Sequence, residues 1–258
     1  MPRNDKLITG ETIWITGATS GIGYSLALAL ANNHNTVIIS GRNKDKLNEM
    51  TSMFSSMRSV QFDVTSRHEI DRVKNELALI SPTIDRVILA AGNCEYLSFK
   101  NPENDDENLD IVERIMQVNL VGMVNCIHAA LGLLKNANNP HIVGICSLAS
   151  EAPFPRAEAY GASKAAAKYL LESLRIDLGV YNIDVTTILP GFVDTPLTRK
   201  NNFSMPFLMS ADTACKRILG ATSKRKMHYA FPKRLAFILW LARLFPRTWL
   251  RQHLKTSK

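Results

Sequence analysis

Apolar residues along this chain fall into two alternating rhythms. Short contiguous runs rich in β-branched residues, at 12–16, 36–40, 60–64, 86–90, 141–146, 184–189 and 227–231, read as buried strands. Between them, stretches with apolar positions every three or four residues read as helices, at 25–32, 44–54, 67–80, 111–134, 160–178 and 211–222. Regular alternation of this kind predicts an α/β fold, a parallel sheet covered by helices on both faces. Three stretches break the rhythm. Residues 101–110 are polar and acidic with Pro102 and read as a loop, and 136–140 form a breaker cluster. The third, 192–209, holds prolines at 196 and 206 but is more apolar than a solvated loop, which suits a segment covering a pocket.

Polar residues of chemical interest gather at the C-terminal ends of the predicted strands, where open α/β sheets bind ligands. The first strand runs into Gly17-Ala18-Thr19-Ser20-Gly21-Ile22-Gly23 and then a helix, an arrangement whose backbone amides can cradle a pyrophosphate. The second strand exits through Gly41-Arg42, and an arginine there pairs with a ribose 2′-phosphate that an acid would repel. Asp63 ends the third strand, placed either to meet a ligand or to cap the next helix. Asn119 sits among apolar neighbours inside a helix, and Ser147 follows the fifth strand. Tyr160 and Lys164, four apart in an Ala-rich helical run, leave one helix face, and an ammonium beside a phenol favours the phenolate. That pair suits proton exchange with an alcohol or a carbonyl.

Length and composition change the picture in two places. At 258 residues and 46% hydrophobic content the chain predicts one large core. Four cysteines without C-x-x-C spacing predict neither a disulfide framework nor a metal site, and read as buried side chains in a reducing, cytoplasmic setting. The first residues lack a signal-peptide h-region, and nothing approaches ~18 consecutive apolar residues. The net charge of +8 is unevenly spread: twelve Lys or Arg and no acid lie between Lys216 and Lys258, leaving −4 on the body. The organisation read from this is a body of 1–232 and a basic apolar helical tail of 233–258. Within the tail, 235–242 is apolar around its whole circumference and needs covering on nearly all sides, by the chain's own cleft, a second subunit or a membrane surface. Trp240, Trp249 and the surrounding positive charge suit an anionic interface. Nucleic acid is not expected, since the apolar block has no part in phosphate binding.

Taken together these motifs resemble the short-chain dehydrogenase/reductase family in its compact branch. Thr16 to Gly23 matches its T-G-x-x-x-G-x-G turn, and Asn119, Ser147, Tyr160 and Lys164 match its catalytic tetrad, with Ser147 thirteen residues before Tyr160. Pro190-Gly191 with Val193 and Thr195 matches its segment at the nicotinamide carboxamide. The resemblance, which runs from Glu11 to Met227, implies a doubly wound, Rossmann-like sheet of seven parallel strands. It implies hydride exchange between NADP(H), favoured over NAD(H) by Arg42, and a carbonyl or secondary alcohol. The implied cofactor set is Gly17, Thr19, Ser20, Gly21, Ile22, Gly23, Arg42, Asp63, Val64, Ala91, Gly92, Asn119, Tyr160, Lys164, Pro190, Gly191, Val193 and Thr195. In the implied roles Tyr160 is the acid/base, Ser147 binds the same substrate oxygen, Lys164 lowers the tyrosine pKa and holds ribose hydroxyls, and Asn119 holds a water. A homodimer or tetramer and a small, lipid-like substrate are expected, with peripheral membrane contact through the tail. Two positions depart from the family. Leu89-Ala90-Ala91-Gly92 lacks the usual N-N-A-G asparagine, and Cys146 stands where a second serine is common, as a packing substitution. The alternative reading is a non-catalytic NADP(H)-binding regulatory protein; a sugar-nucleotide epimerase would have a G-x-x-G-x-x-G turn. Substrate shape is assigned to 93–99, 152–159 and 192–209.

Overall fold

The computed structural model describes residues 7–99 and 105–256. Its strands are β1 (Thr12–Thr16), β2 (Thr36–Ser40), β3 (Met57–Ser59), β4 (Arg86–Leu89), β5 (His141–Ile145), β6 (Asp184–Pro190), a short pair β7 (Val193–Asp194) and β8 (Met209–Ser210), and β9 (His228–Phe231). Seven of them form one sheet in the order β3-β2-β1-β4-β5-β6-β9, with every neighbouring pair parallel. The helices are α1 (Gly21–Ala31), α2 (Lys44–Met53), α3 (Ile70–Ile80), α4 (Asp105–Met116), α5 (Gly122–Lys135), α6 (Glu158–Asp177), α7 (Ala211–Ser223), α8 (Lys233–Leu244) and α9 (Pro246–Thr256). The fold is therefore the expected doubly wound α/β sandwich.

The contiguous apolar strands follow from burial on both faces. Successive side chains point to opposite sides of a strand, so Ile13 and Ile15 join one core with α1, α2 and α7. Trp14, between them, joins the other core with α3, α5, α6 and α8. The same division recurs on β2, where Val37 and Ile39 face one core and Ile38 the other. A polar chain crosses the sheet at its N-terminal end: Arg86, 2% exposed, makes two 2.8 Å bonds to the Glu11 carboxylate. Arg86 also meets the His141 ring, whose Nε2 pairs with Thr186 Oγ1 at 2.8 Å.

Three expectations need correction. The third strand lies at 57–59 rather than 60–64, because β2 supplies partners only to Ser40. The last bond, Val60 N to Ile39 O at 3.0 Å, comes just as β2 ends. Val60, Phe62 and Val64 keep their alternating burial without a ladder. Of the stretch 101–110 expected in a loop, 101–104 lie outside the described residues, and 105–110 are the first turns of α4, where Asp106 and Glu107 suit the positive end of a helix dipole. The long helix expected through 111–134 is interrupted by a π turn at Gln117–Val121. As a continuous run, 106–135 is long and apolar enough by composition to cross a membrane, but Ile111, Ile115, Met123, Ile127 and Leu134 are buried inside the fold, which makes it a core element.

Candidate active site

The strand order reverses between β1 and β4, and the crevice at that switch point is where ligands of such sheets lie. The glycine turn builds its floor. Gly17 has φ 66° and Gly21 φ 55°, the left-handed region that favours glycine, and a Cβ on Gly17 would fall 2.6 Å from the Ala91 backbone. Ser20 is the N-cap of α1 but makes no side-chain capping bond, and the first turn holds no acid. The leading amides of α1 thus keep their capacity for an anion. A cavity of about 320 Å³ extends from this turn, with Arg42, Asp63 and Val64 on the β2–β3 side and Ala91 and Gly92 after β4. Ser147, Tyr160, Lys164, Pro190, Gly191, Val193 and Thr195 line it on the β5–β6 side. Of the residues singled out from the sequence, only Asn119 does not line it.

Asn119 instead lies behind the wall, fully buried in the π turn. Its Oδ1 accepts from Asn93 N at 2.8 Å, and its Nδ2 donates to Asn93 O and to Ser163 Oγ, each at 2.9 Å. Ser163 Oγ donates onward to the Tyr160 carbonyl at 2.8 Å. From sequence, Asn93 is assigned only to substrate shape and Ser163 has no role, because their contribution here is a backbone group and a helix-buried hydroxyl. In the turn after β4, where Leu89-Ala90-Ala91-Gly92 lacks the usual asparagine, the Ala91 backbone lies close against Gly17 and Asn119 secures the loop at Asn93.

Electrostatics at the Tyr160–Lys164 pair run opposite to the expected direction. Burial pushes the Tyr160 phenol well above its ordinary value, the neighbouring Cys94 adds to this, and a hydrogen bond with Ser147 works against it. Burial likewise pulls Lys164 below the usual lysine range. Lys164 Nζ donates to Ile145 O at 3.1 Å and lies 5.8 Å from the centre of the Tyr160 ring. Low polarity disfavours the charged form of both groups, which favours a neutral tyrosine. Cys146 is buried, its thiol pushed up to about 11, in keeping with a packing role. Asp63 lines the cavity but does not cap the next helical turn, whose N-cap is Ser66: its Oδ1 accepts from Thr65 N and Oγ1 at 2.9 and 2.8 Å in a local turn, while its other oxygen lies 3.8 Å from the exposed Arg42 guanidinium.

These features fit a nicotinamide dinucleotide: an uncapped helix start for the pyrophosphate, Arg42 near one end and a lysine ammonium beside a tyrosine near the other. Ile145 and Thr198 also line the cavity and are given no role from sequence; Thr198 Oγ1 donates to Val193 O at 2.5 Å and ties the loop that carries Thr195.

A second cavity, about 590 Å³ and mostly apolar, adjoins the first and shares Ser147, Tyr160 and Gly191 with it. Its walls include Phe192, Phe203 and Phe207 from the segment expected to cover a pocket. Leu235, Ile238, Leu239 and Trp249 of the C-terminal helices complete them. Trp249 Nε1 donates to Pro153 O at 2.8 Å and its ring meets Phe154 edge-on at 5.7 Å. One face of α8 is therefore covered by the chain's own cleft and core. Phe237, Trp240, Leu244, Phe245 and Leu250 remain exposed.

Comparison with known proteins agrees with this architecture. A family model described as short chain dehydrogenase matches residues 11–205. An uncharacterized oxidoreductase of Myxococcus xanthus is 31% identical over 246 residues, covering 92% of this chain and 93% of the relative. One from Staphylococcus epidermidis is 32% identical over 190 residues, covering 73% and 80%. Among solved structures, a short chain dehydrogenase from Burkholderia cenocepacia in complex with NADP superposes with a TM-score of 0.81 at 23% identity, covering 96% of this chain and 99% of that one. A gluconate 5-dehydrogenase from the same species, with NADP and tartrate, gives 0.76 at 24% identity, covering 87% and 94%. With its glycine turn, its parallel sheet and a serine, tyrosine and lysine on one wall of the crevice, the chain belongs to the short chain dehydrogenase family of oxidoreductases.

Proposed function

We propose that the protein is an NADP(H)-dependent reductase of apolar carbonyl compounds, exchanging hydride between the cofactor and a ketone or its secondary alcohol. The observation that carries this reading is the shared wall: Ser147 and Tyr160 line both the dinucleotide-shaped cavity and the apolar cleft. When bound, the cofactor supplies the hydride that reaches the carbonyl carbon. Tyr160, held protonated by its buried surroundings, donates its proton to the carbonyl oxygen as negative charge develops there. Ser147 Oγ donates to the same oxygen and stabilises that charge. Lys164 holds ribose hydroxyls, and Asn119 keeps the loop at Asn93 and helix α6 in register. Arg42, with no acid immediately before it, favours the 2′-phosphate of NADP(H). Turnover of a panel of ketones, aldehydes and 3-oxoacyl compounds with NADPH, followed by absorbance, tests this. Tight NADPH binding without turnover of any member would instead support a non-catalytic regulatory protein.

A second reading concerns the tail, taken as an appendage of 233–258 on a body of 1–232. Its exposed Phe237, Trp240, Leu244, Phe245 and Leu250 lie among Arg234, Arg243, Arg247 and Arg251, a combination suited to the face of an anionic bilayer. We propose a cytoplasmic enzyme that rests peripherally on such a surface, with its four free cysteines in a reducing compartment. Sedimentation with anionic and neutral vesicles at two salt concentrations decides it, and indifference to both lipids removes it. Exposed Val124 on α5 and Tyr169 and Ile176 on α6 support a homo-oligomer, which sedimentation velocity tests.

A further inference from the structure

The apolar cleft has one charged residue in its lining among the described residues, Arg156. Arg156 is exposed, yet four observations set it apart from an untethered surface arginine. Its backbone is left-handed, with φ 64°, a conformation that non-glycine residues hold where surrounding structure enforces it. Its carbonyl accepts from Leu97 N at 3.0 Å while its Nε reaches Leu97 O at 3.4 Å, which joins the loop before α6 to the segment after β4 across the cleft. Its guanidinium lies over the Tyr96 ring, 5.8 Å from the centre, and Tyr96 is itself held by Asn201 at 2.8 Å. Finally, the guanidinium forms no ion pair among the described residues: the nearby Glu158 carboxylate bonds the backbone N–H of Arg156, at 3.2 Å. A cation held by stacking and backbone contacts, without an ion-pair partner among the described residues, lines a cavity whose other described lining residues carry no formal charge.

We infer that Arg156 binds a carboxylate at one end of the substrate, so that the preferred substrates are oxo acids with an apolar chain rather than uncharged ketones. The apolar walls take the chain, Tyr160 and Ser147 meet the ketone, and the guanidinium offers the carboxylate a forked pair of donors. This assignment rests on the reductase reading and deepens it, because the ketone is placed by the same tyrosine.

The test compares a series of medium-chain oxo acids, differing in ketone position, with their methyl esters, using NADPH and the full chain. The expected result is a preference in kcat/KM of about 10-fold for at least one acid over its ester, the effect of one charged hydrogen bond at a half-open site. That preference is expected to collapse in Arg156→Gln and in Arg156→Asn, the second chosen because asparagine accepts a left-handed backbone, and to persist in part in Arg156→Lys. Acids and esters used equally, or a preference that survives both neutral variants, overturns the assignment. Calorimetric binding of decanoate against decanol to the NADPH-loaded protein separates the two levels of the argument. An Arg156-dependent preference for decanoate without turnover of any ketone upholds the anion site and removes the reductase reading. Ketone turnover with no preference for the acids removes the anion site and leaves the reductase reading in place.

Discussion

Asn119 grips Asn93 by its backbone at both ends, accepting from its N–H at 2.8 Å and donating to its carbonyl at 2.9 Å. With the further bond to Ser163, one buried amide joins the loop after β4, the π turn and the helix that carries Tyr160 and Lys164. π turns recur at functional sites because the extra residue turns a side chain out of the regular helical register.

Removing that amide leaves partners buried and unmatched. Asn119→Ala is expected to destabilise the fold by about 2 to 3 kcal/mol, a fall in Tm of roughly 5 to 10 °C for a domain of this size. Asn119→Asp is expected to cost more, since a buried carboxylate can donate to neither Asn93 O nor Ser163. Thermal unfolding of both variants checks this, and an unchanged Tm would show that the clasp is dispensable.

Tyr160→Phe keeps the ring in its buried place and removes the proton. Turnover is expected to drop at least ~100-fold while NADPH affinity stays within about threefold. Parallel steady-state kinetics and cofactor titration separate the two quantities, and near-normal turnover would point to another acid.

Arg42 is exposed, and its contact with Asp63 at 3.8 Å is too long and too solvated to hold it back from a ligand. Arg42→Ala is therefore expected to weaken NADPH binding by about 10-fold or more and NADH binding little. Titration of both cofactors at constant salt reads the difference directly.

His141 sets a pH limit on stability. Burial, with the Arg86 guanidinium against the ring, holds its pKa well below 6.5. The unfolded chain takes up this proton near pH 6.5 and the folded chain only well below it, so stability is complete above about pH 6.5 and declines as the pH falls from there toward the folded value. The slope from one such group is at most about 1.4 kcal/mol per pH unit. Urea unfolding between about pH 7.5 and about pH 5 is expected to show this decline, and His141→Gln to flatten it.

The strands were legible because a doubly buried strand writes itself as a contiguous apolar run, as Ile13-Trp14-Ile15 does. What local pattern could not convey was pairing: β3 sits where β2 has bonds to give, three residues ahead of the more apolar segment at Val60. The candidate site was legible where polar residues or glycines follow a strand, as with Gly17, Arg42 and Ser147, and where Tyr160 and Lys164 fall one helical turn apart. Spacing alone said that Tyr160 and Lys164 share a helix face, but not that enclosure would outweigh their mutual charge. Nor did it tell that Trp249 reaches back across the domain to Pro153, because a contact 96 residues apart leaves no local trace.

That contact has a bearing on the order in which the protein becomes competent during synthesis. The dinucleotide crevice draws its lining from Gly17 to Thr198, whereas the apolar cleft waits for Leu235, Ile238, Leu239 and Trp249. A chain emerging N-terminus first can shape the crevice while its last helices are still unmade. Part of the apolar cleft is thereby contributed by the final stretch of the chain, which lies beyond residues 11–205 that the family model matches.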